Sequence, residues 1–420
     1  MASQVNPPRG MRDFVPAEKA QRERVLALIR ESYRAHGFDE IETPVMEDSS
    51  RLNAGLGGDN EKLAFGILKR GLGTDDFAKA QTPLDLVDMG LRFDLTVPLA
   101  RFYATHRAEL PTVFRSIQAA PVWRAERPQK GRYRQFVQCD IDIIGEGGLI
   151  AEVELIAATL ATLDALGLDG CQVRINDRRI LTSMLSLFGF APETHESALI
   201  TIDKMDKVGQ EGVLAELAEK GLPTEALAAF FARPTTMEFL PFGEAAIRKV
   251  TPEGIELAPV NDLATIGDSL GALADRVVFD PFLVRGMGYY TGTIFEVAHP
   301  SVAYSLGGGG RYDGMIGRFL GSEVPAVGFS LGFERIVDLV EIPSAESDPA
   351  IAVVFEADVD PKQLLDVKTA QLAAGNRVRL ERKPKNIKPL LEQLAGEGFA
   401  SYAVLTTDGL GPAKSLAARE

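Results

Sequence analysis

Residues that build metal centres and disulfide frameworks are scarce in this sequence. Its 420 residues include two cysteines and four histidines. Cys139 and Cys171 form no metal-like cluster, and no histidine stands in a zinc-like spacing. We therefore expect no disulfide framework and no metal ion held by the protein alone, and a reducing cytoplasm suits such a chain.

Long apolar runs are also absent. No run is long enough to span a bilayer, and the first residues, MASQVNPPRGMRDF, lack the apolar core of a secretory signal. The content of 45% hydrophobic and 25% charged residues is that of a soluble globular protein. A chain of this length predicts two or three domains, and we expect them in the cytoplasm with no membrane partner.

The sequence also lacks an excess of positive charge. The formal net charge of −14 disfavours nonspecific binding to nucleic acid through bulk charge. The tail differs, because from Pro349 to Glu420 ten Lys and Arg face nine Asp and Glu, whereas the rest of the chain has 35 against 50. Its basic residues include Arg377, Arg379, Arg382, Lys383, Lys385 and Lys388. The tail either touches nucleic acid or presents a solvated charged face.

The stretch Val122–Asp142 departs most from this acidic background. Basic residues cluster in its first half, where a proline and a glycine predict a loop between two strands. On the second strand Gln138, Asp140 and Asp142 share one face, because strand side chains alternate. A cationic loop beside a carboxylate floor suits an anion at one end and an amine or imidazole at the other. The alternative is an ordinary surface hairpin with solvated charges.

Two elements are predicted near the N-terminus. The spacing of apolar residues predicts a helix from Ala17 to about His36, which Gly37 ends. Glu40–Met46 is predicted to be one strand interrupted by Pro44, and a proline in a strand indicates an edge or an interface.

Two further elements flank the hairpin. Leu91–Pro98 is predicted to be a strand entering a helix, with Arg92, Asp94 and Thr96 alternating onto its polar face. After the hairpin, the pattern predicts an amphipathic helix over Ala151–Leu166.

The second half of the chain begins with a helical module. Residues 177–280 are predicted to be inserted helices in which no chemistry is visible. Phe282–Val297, with RGMGYYTG, is predicted to be a loop feeding a strand. The glycine run in Ser305–Asp313 is either a close approach of backbone to ligand or a mobile turn. Val324–Ile336 is predicted to be a strand running into a helix. In the tail, alternating strands and helices predict a small α/β domain.

In this order the elements resemble those of histidyl-tRNA synthetase, a class II aminoacyl-tRNA synthetase. Ala17–Val45 resembles class II motif 1, which forms a dimer interface. Arg124–Phe136 resembles motif 2, and Gly328–Arg335 resembles motif 3. RGMGYYTG and GGGGRYDG resemble the two histidine signatures, and LRFDLTVPLAR is the form of the eukaryote-like branch. The resemblance covers Arg9–Arg335.

The resemblance implies an α+β fold. Its catalytic domain would have a mixed, mainly antiparallel sheet flanked by helices and would occupy residues 1–176 and 281–342. Residues 177–280 would be the helical insertion. Residues 349–420 resemble a shortened α/β anticodon-binding domain, because GLGPAKSLAARE stands where a further strand pair and a closing helix are usual.

The activity that the resemblance implies is ATP-dependent activation of L-histidine to histidyl-adenylate and its transfer to the 3′ end of tRNA(His) by a homodimer. ATP would be a substrate, accompanied by Mg²⁺ held mainly by phosphates. One alternative is a non-charging paralogue, such as the histidine-binding regulatory subunit of ATP phosphoribosyltransferase. Such paralogues tend to lose the Arg and Tyr signatures that this chain keeps. The other is a histidine-activating enzyme with a non-tRNA acceptor, which only the shortened tail supports.

The resemblance also implies a histidine pocket. Asp94 and Thr96 would hold the α-amino group, Gln138 would contact the bound amino acid, and Asp142 would hold the amino group or the ring. Three tyrosines would shape the side-chain pocket and bond the imidazole. The implied histidine-binding residues are Asp94, Thr96, Arg124, Gln138, Asp142, Arg285, Tyr289, Tyr290 and Tyr312.

Beside this pocket the resemblance implies an ATP site. Arg124 would grip the α-phosphate, and Arg285 would lie near it, where related synthetases use a metal ion. These two arginines are the implied catalytic residues. Glu126 and Phe136 would seat the adenine, with Arg335 stacked over its other face. The implied ATP-binding residues are Arg124, Glu126, Arg132, Phe136 and Arg335.

Overall fold

The structure, a computed structural model, describes residues 5–53, 63–128, 133–233, 242–286, 288–342 and 349–416. The chain forms two units. The first comprises Met1–Asp13 and Arg22–Glu341, and the second comprises Phe14–Gln21 and Ile342–Glu420.

The strands of the first unit form an eight-stranded sheet and a three-stranded sheet. In chain order they are β1 (Asp39–Glu40), β2 (Met46–Asp48), β3 (Phe65–Leu68), β4 (Val87–Leu91), β5 (Phe114–Trp123), β6 (Gln135–Ile144), β7 (Gln172–Asp177), β8 (Val277–Phe279), β9 (Thr293–His299), β10 (Val302–Arg311) and β11 (Ala326–Gly332).

The large sheet has the order β1-β5-β6-β11-β10-β9-β7-β8, and the small sheet has the order β2-β4-β3. In the large sheet β1 pairs with β5, and β7 with β8, in parallel, whereas the other neighbours are antiparallel. The predicted mixed, mainly antiparallel sheet is therefore confirmed. Its middle strands β6, β11 and β10 are the ones whose side chains and glycines carry the candidate site.

Helices accompany both sheets. In chain order they are α1 (Pro16–Ala35), α2 (Ser49–Asn53), α3 (Thr74–Lys79), α4 (Thr96–His106), α5 (Ile150–Ala165), α6 (Arg178–Leu187), α7 (His195–Ile202), α8 (Met205–Glu219), α9 (Glu225–Phe231), α10 (Glu244–Val250), α11 (Leu257–Leu270), α12 (Asp313–Leu320) and α13 (Phe333–Val337). The predicted helices near residues 17–36 and 151–166 correspond to α1 and α5. The predicted helical character of residues 177–280 is confirmed by α6 to α11, but residues 277–279 at its end form β8, which pairs with β7 in the large sheet.

The central hairpin is confirmed as two long antiparallel strands. β5 and β6 pair from Phe114 with Ile144 to Trp123 with Gln135. The apolar side chains of Ile141 and Ile143 are fully buried, and the alternation of β6 sends its polar side chains to the opposite face.

The prediction of one strand over Glu40–Met46 is wrong. β1 ends at Glu40 and pairs with β5, whereas β2 begins at Met46 and pairs with β4 of the other sheet. Pro44 lies between the two, where the absence of its backbone N–H removes a ladder hydrogen bond.

The prediction of a strand that enters a helix over Leu91–Pro98 is confirmed for the helix, which begins at Thr96, and corrected for the strand. β4 ends at Leu91, and Asp94 lies in the turn that leads into α4. Its Oδ1 accepts a hydrogen bond from the backbone N–H of Val97, at 3.2 Å, in the first turn of α4. A short acidic side chain that bonds the following backbone favours a turn and a helix start over a strand.

The mobile-turn alternative for the glycine run is wrong, whereas the close approach of backbone to ligand stays a prediction. Gly307 to Gly310 lie inside β10, between β9 and β11. A Cβ at Gly309 would come within 1.9 Å of the backbone oxygen of Gly328. The run therefore lets neighbouring backbones and side chains approach the strand, which a residue with a side chain would prevent.

The second unit is a small α/β arrangement, as predicted. Its elements are β12 (Ala350–Phe355), α14 (Pro361–Ala373), β13 (Arg377–Arg382), α15 (Lys388–Gly396), β14 (Ser401–Thr406), β15 (Gly409–Leu410) and β16 (Lys414–Ser415). β12 lies between β13 and β14 and pairs with both in parallel. Two short strands, β15 and β16, follow the third strand and pair antiparallel with it. The expectation that residues 409–420 lack a further strand pair is therefore wrong.

Candidate active site

A cavity of about 890 Å³ opens in the first unit, over the polar face of β6, β10 and β11. It brings together nearly all of the residues that the sequence singled out. Those in its lining are Asp94, Thr96, Arg124, Glu126, Phe136, Gln138, Asp142, Arg285, Tyr289, Tyr290, Tyr312 and Arg335. Arg132, the remaining predicted ATP-binding residue, lies outside the described residues.

Asp142 forms the floor of the cavity. The hydroxyl of Tyr312 donates a hydrogen bond to its Oδ1 at 2.6 Å. Burial raises the pKa of Asp142 to about 7, against the opposing effect of this hydrogen bond. The facing residue in β11 is Gly328, where a Cβ would lie 2.0 Å from Asp142 Oδ1. The carboxyl group therefore fits only because β11 carries a glycine there.

Asp94 adds a second buried carboxyl group, placed by the turn before α4. Burial raises its pKa to about 6, while the backbone N–H of Val97 and the charge of Arg124 limit the rise. Its Oδ2 is buried and has no hydrogen-bond partner among the described residues. An unpartnered buried acceptor is costly in a finished core, so this oxygen is available to a ligand that donates.

Gln138 presents a further acceptor. Its Nε2 donates to Ser330 Oγ at 3.1 Å, which orients the amide. Its Oε1 is buried and, within the described part of the chain, unpartnered. Asp140, between Gln138 and Asp142 on the same strand face, also lines the cavity, and burial followed by the charge of Asp142 raises its pKa well above the usual value. The sequence placed Asp140 on this face, but the resemblance gave it no role.

Three tyrosines form one aromatic wall. The ring centroids of Tyr289 and Tyr290 lie 4.8 Å apart, and Tyr289 meets Tyr312 edge-on at 6.1 Å. Burial raises the pKa of all three hydroxyls, so they remain protonated donors. Gly310 makes room for this wall, because a Cβ there would lie 2.9 Å from the Tyr290 ring.

Arg285 lies across β10. Its Nη1 donates to Glu296 Oε2 at 3.1 Å, and Glu296 also accepts from Arg174 at 3.0 Å. A Cβ at Gly308 would come within 2.8 Å of the Arg285 guanidinium carbon. The Nε of Arg285 is buried without a hydrogen-bond partner in the described regions. The guanidinium is thus fixed in place while retaining donor capacity.

The other end of the cavity carries Arg124 and Arg335. Arg124 Nε donates to the backbone oxygen of Phe93 at 3.0 Å, and its guanidinium lies 5.0 Å from the centroid of the Phe136 ring. Arg335, in α13, donates to the backbone oxygen of Ser305 and lies 5.3 Å from the Tyr304 ring centroid. This end therefore combines cations with aromatic faces, which suits a phosphate joined to a flat ring.

The helical module contributes to the cavity, contrary to the expectation that it carries no visible chemistry. Ile202, Asp203, Met205 and Lys207 all line it. A Cβ at Gly286 would lie 3.0 Å from Asp203 Oδ2, so this carboxyl group is close to the loop of Arg285. The sequence offered no local signal for this contact, because it joins residues far apart in the chain.

No group of three or more His, Cys, Asp or Glu side chains in the described regions is arranged to hold a metal ion. Among the residues with described structure, no helix has the length and apolar character needed to cross a membrane.

Known proteins resemble the chain over most of its length. Residues 10–336 match the family described as histidyl-tRNA synthetase. A histidine–tRNA ligase from Leifsonia xyli is 58% identical over 417 residues, which cover 97% of this chain and 97% of that protein. The crystal structure of histidyl-tRNA synthetase from Nostoc aligns with a TM-score of 0.73 at 25% identity and covers 96% of this chain and 93% of that one.

A second solved structure bears on the alternative of a regulatory paralogue. It is described as an ATP phosphoribosyltransferase regulatory subunit/histidyl-tRNA synthetase from Bacillus halodurans. It aligns with a TM-score of 0.73 at 21% identity and covers 96% of this chain and 97% of that one. At this identity the likeness shows a shared fold alone, so it does not favour the regulatory alternative.

Proposed function

Because the chain belongs to the histidyl-tRNA synthetase family, we propose that the cavity described above is where histidine and ATP react. The activity is that of a histidine–tRNA ligase with the class II fold, which joins L-histidine to tRNA(His) at the expense of ATP. The observation that carries the proposal is the meeting of Arg124, Arg285 and Asp142 around one cavity. Arg124 and Asp142 come from the central hairpin, and Arg285 comes from a distant stretch that follows the helical module.

Histidine occupies the acidic end in this proposal. Its α-ammonium group donates to Asp94 Oδ2 and Gln138 Oε1, the two buried acceptors that lack partners among the described residues. Thr96, which also lines the cavity, is proposed to contact the same group. The imidazole lies against the three tyrosines and Asp142. A pocket that hydrogen-bonds both ring nitrogens of histidine rejects an amino acid of similar shape that lacks one of these nitrogens. A buried polar group of the pocket would then lose its hydrogen-bond partner.

ATP occupies the cationic end. Arg124 binds the α-phosphate, Glu126 and Phe136 seat the adenine, and Arg335 covers the other face of the ring. Its proximity to the Tyr304 ring supports a stacking position for that guanidinium. Arg132 is proposed to take part in ATP binding, as the family resemblance implies.

The reaction needs electrostatic stabilisation and positioning more than proton transfer. A carboxylate oxygen of histidine attacks the α-phosphorus in line, and the bond from phosphorus to the bridging oxygen of pyrophosphate breaks. Negative charge builds on the phosphate oxygens, where fixed donors of Arg124 and Arg285 stabilise it. Orientation of the two bound reactants supplies the rest. The 3′ hydroxyl of the tRNA then attacks the activated carbonyl carbon, and AMP leaves.

Several partners follow from the proposed reaction. Mg²⁺ accompanies ATP and is held mainly by its phosphates. The motif 1 region, Ala17–Val45, forms a homodimer interface, which its resemblance to class II motif 1 supports. The tail, residues 349–420, resembles a shortened anticodon-binding domain and is proposed to contact the tRNA. Residues 177–280 are the insertion, and the catalytic domain comprises residues 1–176 and 281–342. The proposed location is the cytoplasm.

The deciding experiment measures exchange of labelled pyrophosphate into ATP. We expect exchange with L-histidine and none with the other amino acids or without an amino acid. A histidine tRNA transcript should then be charged, and transcripts with and without the additional 5′ guanosine should differ in rate. Absence of exchange would favour the regulatory alternative, and exchange without charging would favour a different acceptor.

Gly328→Ala is expected to weaken histidine binding selectively. The added methyl group would lie 2.0 Å from Asp142 Oδ1 and must displace that carboxyl group. We expect the KM for histidine in pyrophosphate exchange to rise roughly tenfold or more, with a smaller change in the KM for ATP. Gly396→Ala at the end of α15 is the matched control, because a Cβ there meets nothing within 4 Å and the residue does not line the cavity. Equal effects on both KM values would contradict the placement of Asp142.

A further inference from the structure

The N-terminal segment, residues 7–12, lies against both described ends of the motif 2 loop. Met11 N donates to the backbone oxygen of Pro8 at 2.9 Å, which closes a turn around Gly10. Gly10 has a φ of +83°, and its backbone oxygen accepts a hydrogen bond from Arg134 N at 2.7 Å. A Cβ at Gly10 would lie 2.9 Å from side-chain carbons of both Pro128 and Arg134. This close contact is open only to glycine.

The loop ends that the segment touches are also tied to each other. Arg124 N donates to the backbone oxygen of Arg134 at 2.8 Å, and Arg134 Nε donates to the backbone oxygen of Glu126 at 2.9 Å. Displacement of Arg134 would therefore also shift Arg124 and Glu126, to which it is hydrogen-bonded. Both of these residues line the cavity at its cationic end.

Arg12 makes a second contact with the cationic end of the cavity. Its guanidinium lies 3.6 Å from the centroid of the Tyr133 ring and forms an ion pair with Glu334. Glu334 is buried, accepts two hydrogen bonds from Arg22 at 2.6 and 2.7 Å, and accepts one from Val137 N at 3.1 Å. Tyr133 and Glu334 line the cavity, and Arg335 follows Glu334 in α13. One segment thus contacts motif 2 and motif 3 together.

We propose that this N-terminal segment positions the cationic end of the cavity, where ATP binds, with Gly10 and Arg12 as its positioning residues. The inference rests on the proposed function, since it takes the cationic end to be the ATP site. Neither residue is among those that line the cavity, so both act through Arg134, Tyr133 and Glu334. The acidic end of the cavity, formed by Asp94, Gln138 and Asp142, does not depend on this segment. It is held by the hydrogen bonds from Tyr312 to Asp142 and from Gln138 to Ser330. Loss of the segment should therefore affect ATP and spare histidine.

The test compares Gly10→Ala with Gly37→Ala in full-length protein. Both glycines have left-handed φ angles, +83° and +84°, so each substitution carries a similar backbone strain. A Cβ at Gly37 meets nothing within 4 Å, whereas a Cβ at Gly10 collides with Pro128 and Arg134. Gly10→Ala is expected to raise the KM for ATP in pyrophosphate exchange roughly tenfold and to change the KM for histidine less than twofold. Gly37→Ala should change neither.

Arg12→Gln and Arg12→Lys provide a second measurement that does not depend on Gly10. Arg12→Gln removes the charge that pairs with Glu334 and should raise the KM for ATP, and Arg12→Lys should restore part of the loss. Equal increases in both KM values would overturn the proposal, as would unchanged KM values for ATP in the Arg12 variants, even if Gly10→Ala fails to fold. Failure of the proposed function is distinct, because the wild-type protein itself would then show no histidine-dependent exchange.

Discussion

Arg285→Ala is expected to lower kcat for histidine-dependent pyrophosphate exchange by roughly 10²- to 10³-fold. The Arg285 guanidinium is held by its hydrogen bond to Glu296 and packs against Gly308, where a side chain would displace it. Its Nε lacks a hydrogen-bond partner within the described regions. Such a donor requires no rearrangement when charge builds on the α-phosphate. The KM values for ATP and histidine should change much less than kcat, since the interaction strengthens in the transition state.

The fold should survive this substitution. Glu296 keeps Arg174 as a partner at 3.0 Å, so its carboxylate is not left as an unpaired buried charge. Circular dichroism and the melting temperature of Arg285→Ala should stay close to wild type. Arg248→Ala is the matched control, because Arg248 forms an exposed i,i+4 pair with Glu244 and should contribute little to stability or rate. Turnover within a few-fold of wild type would remove Arg285 from the catalytic residues.

Local patterns were sufficient to predict the hairpin and the face that it presents. Alternation along a strand is a property of neighbouring residues, so Gln138 and Asp142 could be assigned to one face without knowledge of the fold. The turn between β4 and α4 could not be predicted in the same way, because alternation at Arg92, Asp94 and Thr96 imitates a strand. The backbone bond of Val97 to Asp94 decides the outcome there.

Contacts between distant parts of the chain were beyond local patterns. The glycines of β10 suggested a turn or a ligand contact, because glycine is depleted in strands. Their function in the fold depends on Arg285 and Tyr290, which come from a preceding loop and occupy the space that side chains would fill. Asp203 reaches the cavity from the helical module through tertiary packing, for which the sequence contains no motif.

Asp142→Asn is expected to raise the KM for histidine roughly 10²-fold at pH 8, since a buried charged partner is lost. The size of this effect should depend on pH. Burial raises the pKa of Asp142 to about 7, so at pH 6 only about a tenth of empty wild-type sites carry the charge. The ratio of variant to wild-type KM should therefore shrink about tenfold between pH 8 and pH 6. The titration of histidine itself cancels in this ratio because both proteins bind the same ligand.

Tyr312→Phe tests whether the titration of Asp142 causes this pH dependence. The hydroxyl of Tyr312 bonds Asp142 and lowers its pKa, so its removal should move the loss of histidine affinity to higher pH. A ratio of Asp142→Asn to wild-type KM that stays constant from pH 6 to pH 8 would show that another group controls binding.

Stability provides an independent measurement of the same carboxyl group. Its pKa is raised above the unfolded value of 3.8, so between pH 3.8 and about 7 the folded state retains a proton that the unfolded state releases. The stability of ligand-free wild type should therefore fall as pH rises through this window, and above pH 7 the full cost of the buried charge remains. Asp142→Asn carries no such charge. Its melting temperature should exceed that of wild type at pH 8, and the difference should vanish near pH 4. A difference that does not vary with pH would mean that Asp142 is already ionised in the empty site.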